Sequence, residues 1–224
     1  RDNVPRIDYT GGGCPHILVE PQSTNLVADS ENLKDGYSTT DSSVDLNAST
    51  APDGTTSANK FNSTALASTV LKNHSNSSAL SHTVSIFLKK GTIDLVSLSM
   101  NGGAPALLAS TTVNLTSGTI TASSGNGSIT PTITSYGNDW YKITASSTTN
   151  GVIASPTIKI TNSSSTASGY FYMWGLQFEG LSYATSYIPT SGSTVTRNQD
   201  IFTRDGIGSL INSAEGVLFI EMAK

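Results

Sequence analysis

Apolar residues in this chain come in short bursts on a polar ground of Ser, Thr, Asn and Gly. The bursts predict strands over Val44–Ala48, Ser57–Asn62, Thr69–Lys72, Ala79–Lys89, Asp94–Met100, Ala106–Leu115, Thr119–Ala122, Ile129–Ser135, Trp140–Ala145, Ile153–Ile160 and Gly169–Phe178. Turn-forming residues separate them, among them Asp53-Gly54, Lys90-Gly91, Ser117-Gly118, Gly137-Asn138-Asp139 and Asn150-Gly151. Many short strands at intervals of about eight to twelve residues, without helical periodicity, define an all-β sandwich or barrel. Alternation is clearest at Val84, Ile86 and Leu88 and at Ile158 and Ile160, whose faces are expected to form the core.

The densest apolar run is Tyr170–Gly180, bounded by Gly169 and Gly180. Simple alternation puts Tyr172, Trp174, Leu176 and Phe178 on one face, which is expected to be core together with Trp140. The tail after this strand, Ser182–Asp200, is punctuated by Ser, Thr and Gly and reads as ordered.

Composition narrows the picture. Only 12% of the 224 residues are charged and 36% are hydrophobic, so the polarity is uncharged and accompanies recurring strands, unlike a disordered polar chain. Net charge is −4 and the Lys and Arg residues are scattered, which disfavours a nucleic-acid partner. Cys14 is alone, so an intrachain disulfide is impossible, and its expected role is that of a small buried residue. No apolar run reaches the roughly 18 residues of a membrane span, so membrane insertion is not expected. The start at Arg1, without methionine or leader, reads as a fragment of a longer protein.

Candidate chemistry is sparse. Pro5, the Gly11–Gly13 triplet and Pro15 deny regular structure to the first residues, which are expected to form an extended arm that packs on something. Asp29, Glu31 and Asp35 fall among turn residues and are candidate ligands of a structural calcium, against a competing reading as turn-capping acids that face solvent. His16, His74 and His82 lack metal-ligand spacing. Glu179 invites a glycosidase-like pairing with Glu20, Asp94 or Asp139, but hydrogen bonding to the tail backbone is the expected role. Aromatic rings stack on the apolar faces of sugars, and Tyr136, Trp140, Tyr141, Tyr170, Tyr172 and Trp174 are the supply. Tyr136, beside the Gly137–Asp139 turn, is the expected exposed platform, with Asn138 and Asp139 as polar neighbours and Tyr37 next in order.

The segments Pro5–Cys14, Leu18–Leu26, Ser30–Asn32, Ala51–Thr56, Val84–Gly91, Trp140–Ile143 and the tail Ser182–Asp200 together resemble, in their order, a β-sandwich module of bacteriophage head- and tail-fibre proteins. The resemblance covers most of residues 1–205; residues 62–82 and 97–135 match nothing in it. It implies a jelly-roll β-sandwich of galactose-binding or lectin-like type with an extended N-terminal arm. It also implies a domain plan: arm 1–24, sandwich 25–190, linker 191–214, and 215–224 as the first strand of a following lectin-like domain or a swapped strand. The implied function is a structural virion fibre or capsid-decoration module without enzymatic activity, binding host-surface or environmental glycans. The implied partners are its own copies in a trimer and other virion proteins. The implied place is the virion, assembled in the bacterial cytoplasm, and no cofactor is implied beyond a structural calcium. Two other readings stay open: a carbohydrate-binding module of a secreted polysaccharide-degrading enzyme, and a polysaccharide lyase or hydrolase domain.

Overall fold

The computed structural model describes residues 6–8, 15–74, 81–102, 106–125, 129–148 and 155–201. Cys14, the Gly11–Gly13 triplet and the expected strand within 215–224 lie outside these residues. Among the described residues every regular element is a strand: β1 (Arg6–Asp8), β2 (His16–Leu18), β3 (Ser23–Asn25), β4 (Ser38–Thr40), β5 (Ser42–Ser49), β6 (Ala58–Ser63), β7 (Thr69–Asn73), β8 (Ser81–Lys90), β9 (Leu95–Gly102), β10 (Ala106–Asn114), β11 (Thr119–Ser124), β12 (Ile129–Ser135), β13 (Trp140–Thr148), β14 (Thr157–Asn162), β15 (Gly169–Glu179) and β16 (Val195–Arg197). The strands expected from the apolar bursts are β5 to β15, with ends moved by a few residues. The short β1 to β4 and β16 carry no alternation of their own, and only their partners define them.

Contacts divide the chain into two compact units, residues 23–197 and residues 1–22 with 198–224. In the smaller unit β1 pairs antiparallel with β2, Ile7 facing Ile17. Arg6 Nε donates to Asp200 Oδ1 at 2.9 Å, and its guanidinium also bonds Glu20 Oε2 at 2.8 Å and the second Asp200 oxygen. The Glu20 and Asp200 backbones join the same knot: Glu20 N donates to Asp200 Oδ2 at 2.9 Å and Asp200 N to Glu20 O at 3.0 Å.

The larger unit is a sandwich of two six-stranded antiparallel sheets. Their orders are β11-β10-β9-β14-β7-β4 and β12-β13-β8-β15-β6-β5. A separate pairing of β16 with β3 sets Val195 opposite Asn25, and both strands belong to the larger compact unit. One face of each sheet meets in a single apolar core. Phe61, Val84, Ile86, Leu88, Ile143 and Phe171 enter from one sheet, and Val70, Val96, Leu98, Met100, Ile158 and Ile160 from the other. All are buried, and removing side chains of this size from water contributes about 1.5–3 kcal/mol each. Pro131, which has no N–H to give a ladder, sits in β12 at the end of its sheet, where a proline is tolerated.

The expected single face of β15 is corrected by the structure. Trp174 is opposite Phe87 and Gln177 is opposite Ser85, so three steps on β15 match two on β8. The extra residue is a bulge, and Gly175 sits in it with φ of 64°. The phase therefore flips. Phe171, Met173, Leu176 and Phe178 point into the main core, whereas Tyr172 and Trp174 point to the outer face. There Trp174, Trp140 and Phe87 form a second buried cluster with Ala51 and Ala58, and half-buried Tyr172 and Tyr187 pack against it. Trp140 Nε1 donates to Thr50 O at 3.2 Å and Trp174 Nε1 to Ser57 Oγ at 2.8 Å, so neither buried indole leaves its N–H unpaired.

Candidate functional site

The outer face of the β12-β13-β8-β15 sheet is built in rows, because antiparallel register places every second residue of neighbouring strands side by side. One row is Thr130, Ser146, Thr83 and Glu179, and the next is Thr132, Thr144, Ser85 and Gln177. Thr134, Lys142, Phe87 and Trp174 make the third. The face thus changes from hydroxyls to amide and carboxylate along a row, and from hydroxyls to aromatics across the rows.

The tail after β15 folds back over one half of this face and is pinned there by buried polar groups. Glu179 is fully buried and accepts from Ser23 Oγ at 2.6 Å, Gln177 Nε2 at 2.7 Å, Thr185 N at 3.1 Å and Thr185 Oγ1. Gln177 Oε1 takes the Ile188 N–H at 2.7 Å. Asn25 spans the edge that β15 exposes beyond its bulge: its amide donates to the carbonyls of Ile188 and Leu176, and its oxygen accepts from Phe178 N. Ser30 and Thr190 exchange backbone and side-chain bonds, and the Ser30 and Tyr187 hydroxyls meet at 2.6 Å. Saturation of this kind makes Glu179 a fastening for the tail, with its oxygens already committed to donors.

The other half of the face stays open. Thr130, Thr132, Thr134, Lys142, Thr144 and Ser146 form the floor of a groove of about 280 Å³, and Ser182, Tyr183 and Ala184 of the folded-back tail form its wall. That volume is near the lower end of small-ligand clefts, roughly 300–1,000 Å³. Two floor hydroxyls bond each other, Thr132 to Thr144 at 2.6 Å, and that of Ser146 bonds Thr83 on the neighbouring strand at 2.8 Å. Each hydroxyl still has acceptor capacity for a ligand. Lys142 Nζ donates to Thr185 O at 3.0 Å, tying the wall to the floor. Tyr183 is 49% exposed, a large ring held at the mouth of a hydroxyl-lined trough.

Tyr136 extends this strip. It follows Thr130, Thr132 and Thr134 on the same side of the chain, is 47% exposed, and sets its ring edge-on to Phe87 at 4.9 Å and 81°. From Thr130 to Tyr136 the strip runs about 20 Å, at the usual rise per residue of a strand. Asn138 and Asp139 form the turn beyond Tyr136 in left-handed conformation, with φ of 50° and 63°, which Asn and Asp tolerate better than other side chains. Asn138 O accepts from Lys89 Nζ at 2.9 Å.

Tyr37 is not brought to this strip. It is half-buried beside the opposite sheet, donates its hydroxyl to Asp29 O at 2.9 Å, and carries the Lys72 ammonium 4.5 Å from its ring centroid. Burial and the nearby Asp29 push its hydroxyl pKa above the ordinary value. The three acids considered for calcium are employed separately. Asp29 Oδ1 accepts from Gly192 N at 2.7 Å, Asp35 from Asn32 Nδ2 at 2.8 Å, and Glu31 from the Tyr187 hydroxyl at 3.2 Å. Asp29 and Glu31 border one shallow cleft with Asn32 and Pro189–Ser191, and Asp35 is not on it. Among the described residues no group of three acids, histidines or cysteines is placed to hold a metal. A calcium cage needs six to eight converging oxygens, and the carboxylates of Asp29, Glu31 and Asp35 each turn to a separate partner. Glu31 is raised above the usual carboxylate range by burial, opposed by the Tyr187 hydrogen bond.

Sequence reasoning missed Tyr183 and the hydroxyl floor. The alternating threonines of Ile129–Ser135, and Lys142, Thr144 and Ser146 at every second position of β13, marked a polar sheet face, but not the one that the tail would wall. The sandwich with a hydroxyl-lined groove on its outer sheet face is thus the class that fold and site define.

No protein-family model matches the chain, and no curated protein matches it. Among solved structures, the chain is similar to the enzymatically active domain of tailspike protein 4 of bacteriophage CBA120, with a TM-score of 0.41 and 12% identity. The likeness covers 69% of this chain and 21% of the tailspike chain. The expectation of a module without enzymatic activity is corrected by this finding, because the similar tailspike domain is itself described as enzymatically active. A likeness of this degree assigns no activity to this chain.

Proposed function

We propose that this chain is a virion module of bacteriophage-fibre type whose sandwich binds a surface glycan in the groove walled by Tyr183, with Tyr136 as a second platform along the same strip. The observation that carries this reading is the junction of an exposed tyrosine with a floor of five threonine and serine hydroxyls and one lysine. A pyranose presents an apolar face to an aromatic ring and a rim of hydroxyls to polar partners, and the groove offers both. The resemblance to head- and tail-fibre modules supplies the virion setting. A shallow open site of this kind binds weakly, and presentation of several copies in a homo-oligomer, a trimer in this proposal, raises the avidity without new contacts.

Connectivity supports a jelly-roll reading of the sandwich. Eight strands pair as β6 with β15, β7 with β14, β8 with β13 and β9 with β10, first with last and inward in order. That is the pairing of one long antiparallel ribbon rolled over itself, and it generates the orders β13-β8-β15-β6 and β10-β9-β14-β7 in the two sheets.

The test is a screen of bacterial surface polysaccharides and their oligosaccharides, followed by titration of the best neutral binder against Tyr183→Ala and Tyr136→Ala. Tyr183→Ala is expected to weaken binding at least tenfold and Tyr136→Ala severalfold, with thermal midpoints unchanged. Unaltered affinity in both variants, or no glycan bound by the wild type, overturns the reading.

A further inference from the structure

Across β8, β15 and β6 the same outer face carries a different chemistry. Lys89, Tyr172 and Lys60 stand side by side in register, one on each strand, and all three are half-buried. Tyr170, two positions along β15, sets its ring 5.6 Å from that of Tyr172 at 74°. The Lys60 ammonium lies 4.4 Å from the Tyr170 ring centroid. It takes this place although Asp45 stands opposite Lys60, and Asp45 instead accepts from Asn62 Nδ2 at 2.9 Å. Lys89 gives one donor to Asn138 O and keeps others, since an ammonium has three.

The corner formed by the two rings is built on a glycine. A Cβ at Gly91 would come within 2.4 Å of Tyr170 Cδ2 and Cε2 and 2.5 Å of the Tyr170 carbonyl oxygen, so both the ring and the backbone of Tyr170 approach too closely for any side chain there. Two lysines therefore flank Tyr172 on neighbouring strands, with their backbones about 10 Å apart at the usual strand spacing, the Lys60 ammonium lying over Tyr170 and the Lys89 ammonium at Asn138 O.

We propose that the Tyr170–Tyr172 corner, with Lys60 and Lys89, is a second carbohydrate site that selects acidic sugars, with uronic acids as the ligand class. A pyranose stacked on an aromatic ring carries its C5 carboxylate at the rim, in the direction of neighbouring side chains on the same sheet face. Here each neighbour of Tyr172 across the strands is a lysine, which places a charge-assisted donor on either side of the stacked unit. The groove at Tyr183 has no such pair, since Lys142 is the one charged residue among its described lining. The corner also differs from a polyanion-binding surface: it sets two ammoniums against the Asp45 carboxylate in a chain of net charge −4, and its contact surface is aromatic.

The probe is α-1,4-linked trigalacturonate, titrated at low salt against the full chain, with its methyl ester and a thymidine oligonucleotide as controls. Expected are saturable binding of the acid, at least fivefold weaker binding of the ester, and at least tenfold loss in the Lys60→Met/Lys89→Met double variant, which keeps long unbranched side chains and removes both charges. Tyr170→Leu, which removes the ring without removing charge, is expected to weaken the acid as well. Tyr183→Ala is expected to leave it unchanged, so this site and the groove succeed or fail separately. No binding of trigalacturonate, equal binding of acid and ester, an unaffected double variant, loss through Tyr183→Ala, or equal competition by the oligonucleotide each overturns the proposal.

Discussion

Trp174 and Leu176 are two positions apart in β15 and face opposite sides of the sheet. Gly175, between them, absorbs the extra residue of the bulge at positive φ, and a Cβ there would press on Phe87 at 3.2 Å and Tyr187 at 3.3 Å. The bulge turns one aromatic strand into two functional halves. Before it, the outer side chains are the tyrosines and Trp174; after it, they are Gln177 and Glu179, which hold down the tail that walls the groove.

The two faces should respond differently to truncation. Phe171 lies between the sheets, stacked on Phe61 at 4.6 Å, and Phe171→Ala is expected to cost about 4–5 kcal/mol and lower protection across both sheets. Trp174 packs against Tyr187 of the tail at 4.6 Å and bonds Ser57 of the 51–57 loop, segments that relax more readily than a strand, so Trp174→Ala is expected to cost about 3 kcal/mol. Thermal melts with hydrogen exchange check this: the Trp174 variant should expose residues 182–190 first, and uniform loss of protection in both variants would contradict the assignment of the two clusters.

Glu179→Gln replaces an acceptor-only carboxylate with a side chain that brings its own N–H donors toward Ser23, Gln177 and Thr185. The expected cost is about 1–3 kcal/mol, the penalty for leaving buried groups mismatched. Because the same contacts place Ser182–Ala184, glycan binding in the groove should weaken together with tail protection. Tail exchange at the wild-type rate in this variant would show that the network is not what holds the wall.

His74 supplies a pH dependence with a defined sign. Its ring lies 5.2 Å from Phe178, and burial holds its pKa down at about 4. His82 stacks on Phe178 at 5.4 Å and is lowered for the same reason. A depressed histidine favours the folded state fully above its ordinary pKa of 6.5 and loses that contribution as pH falls towards the folded value. Stability should therefore decline from pH 6.5 to 4, by at most about 1.4 kcal/mol per unit for each histidine. Urea midpoints of wild type and His74→Gln measured across this range check it, the variant showing the shallower slope. Equal slopes would mean that His74 does not titrate in the window.

The sequence by itself determined where the strands run. Period-two alternation and turn residues are local signals, and they located β5 to β15 because each strand must present one apolar side to the core whatever its partner. They placed Val84, Ile86 and Leu88, and Ile158 and Ile160, on core faces for the same reason. Alternation failed at Gly175, since a bulge is defined by the count on the facing strand and is invisible within one strand, although an isolated glycine in an apolar run is its usual mark. The short β3 and β16 were illegible for a related reason: their hydrogen bonds join residues about 170 positions apart, as in Ser23 with Arg197. Tyr136 was legible as exposed because it abuts a turn, whereas Tyr37 beside Gly36 gave the same signal and is committed to Asp29 and Lys72. Tertiary structure alone decided the groove, since its floor comes from 130–146 and its wall from 182–184, and what brings them together is a buried carboxylate and two amides whose partners no local pattern identifies.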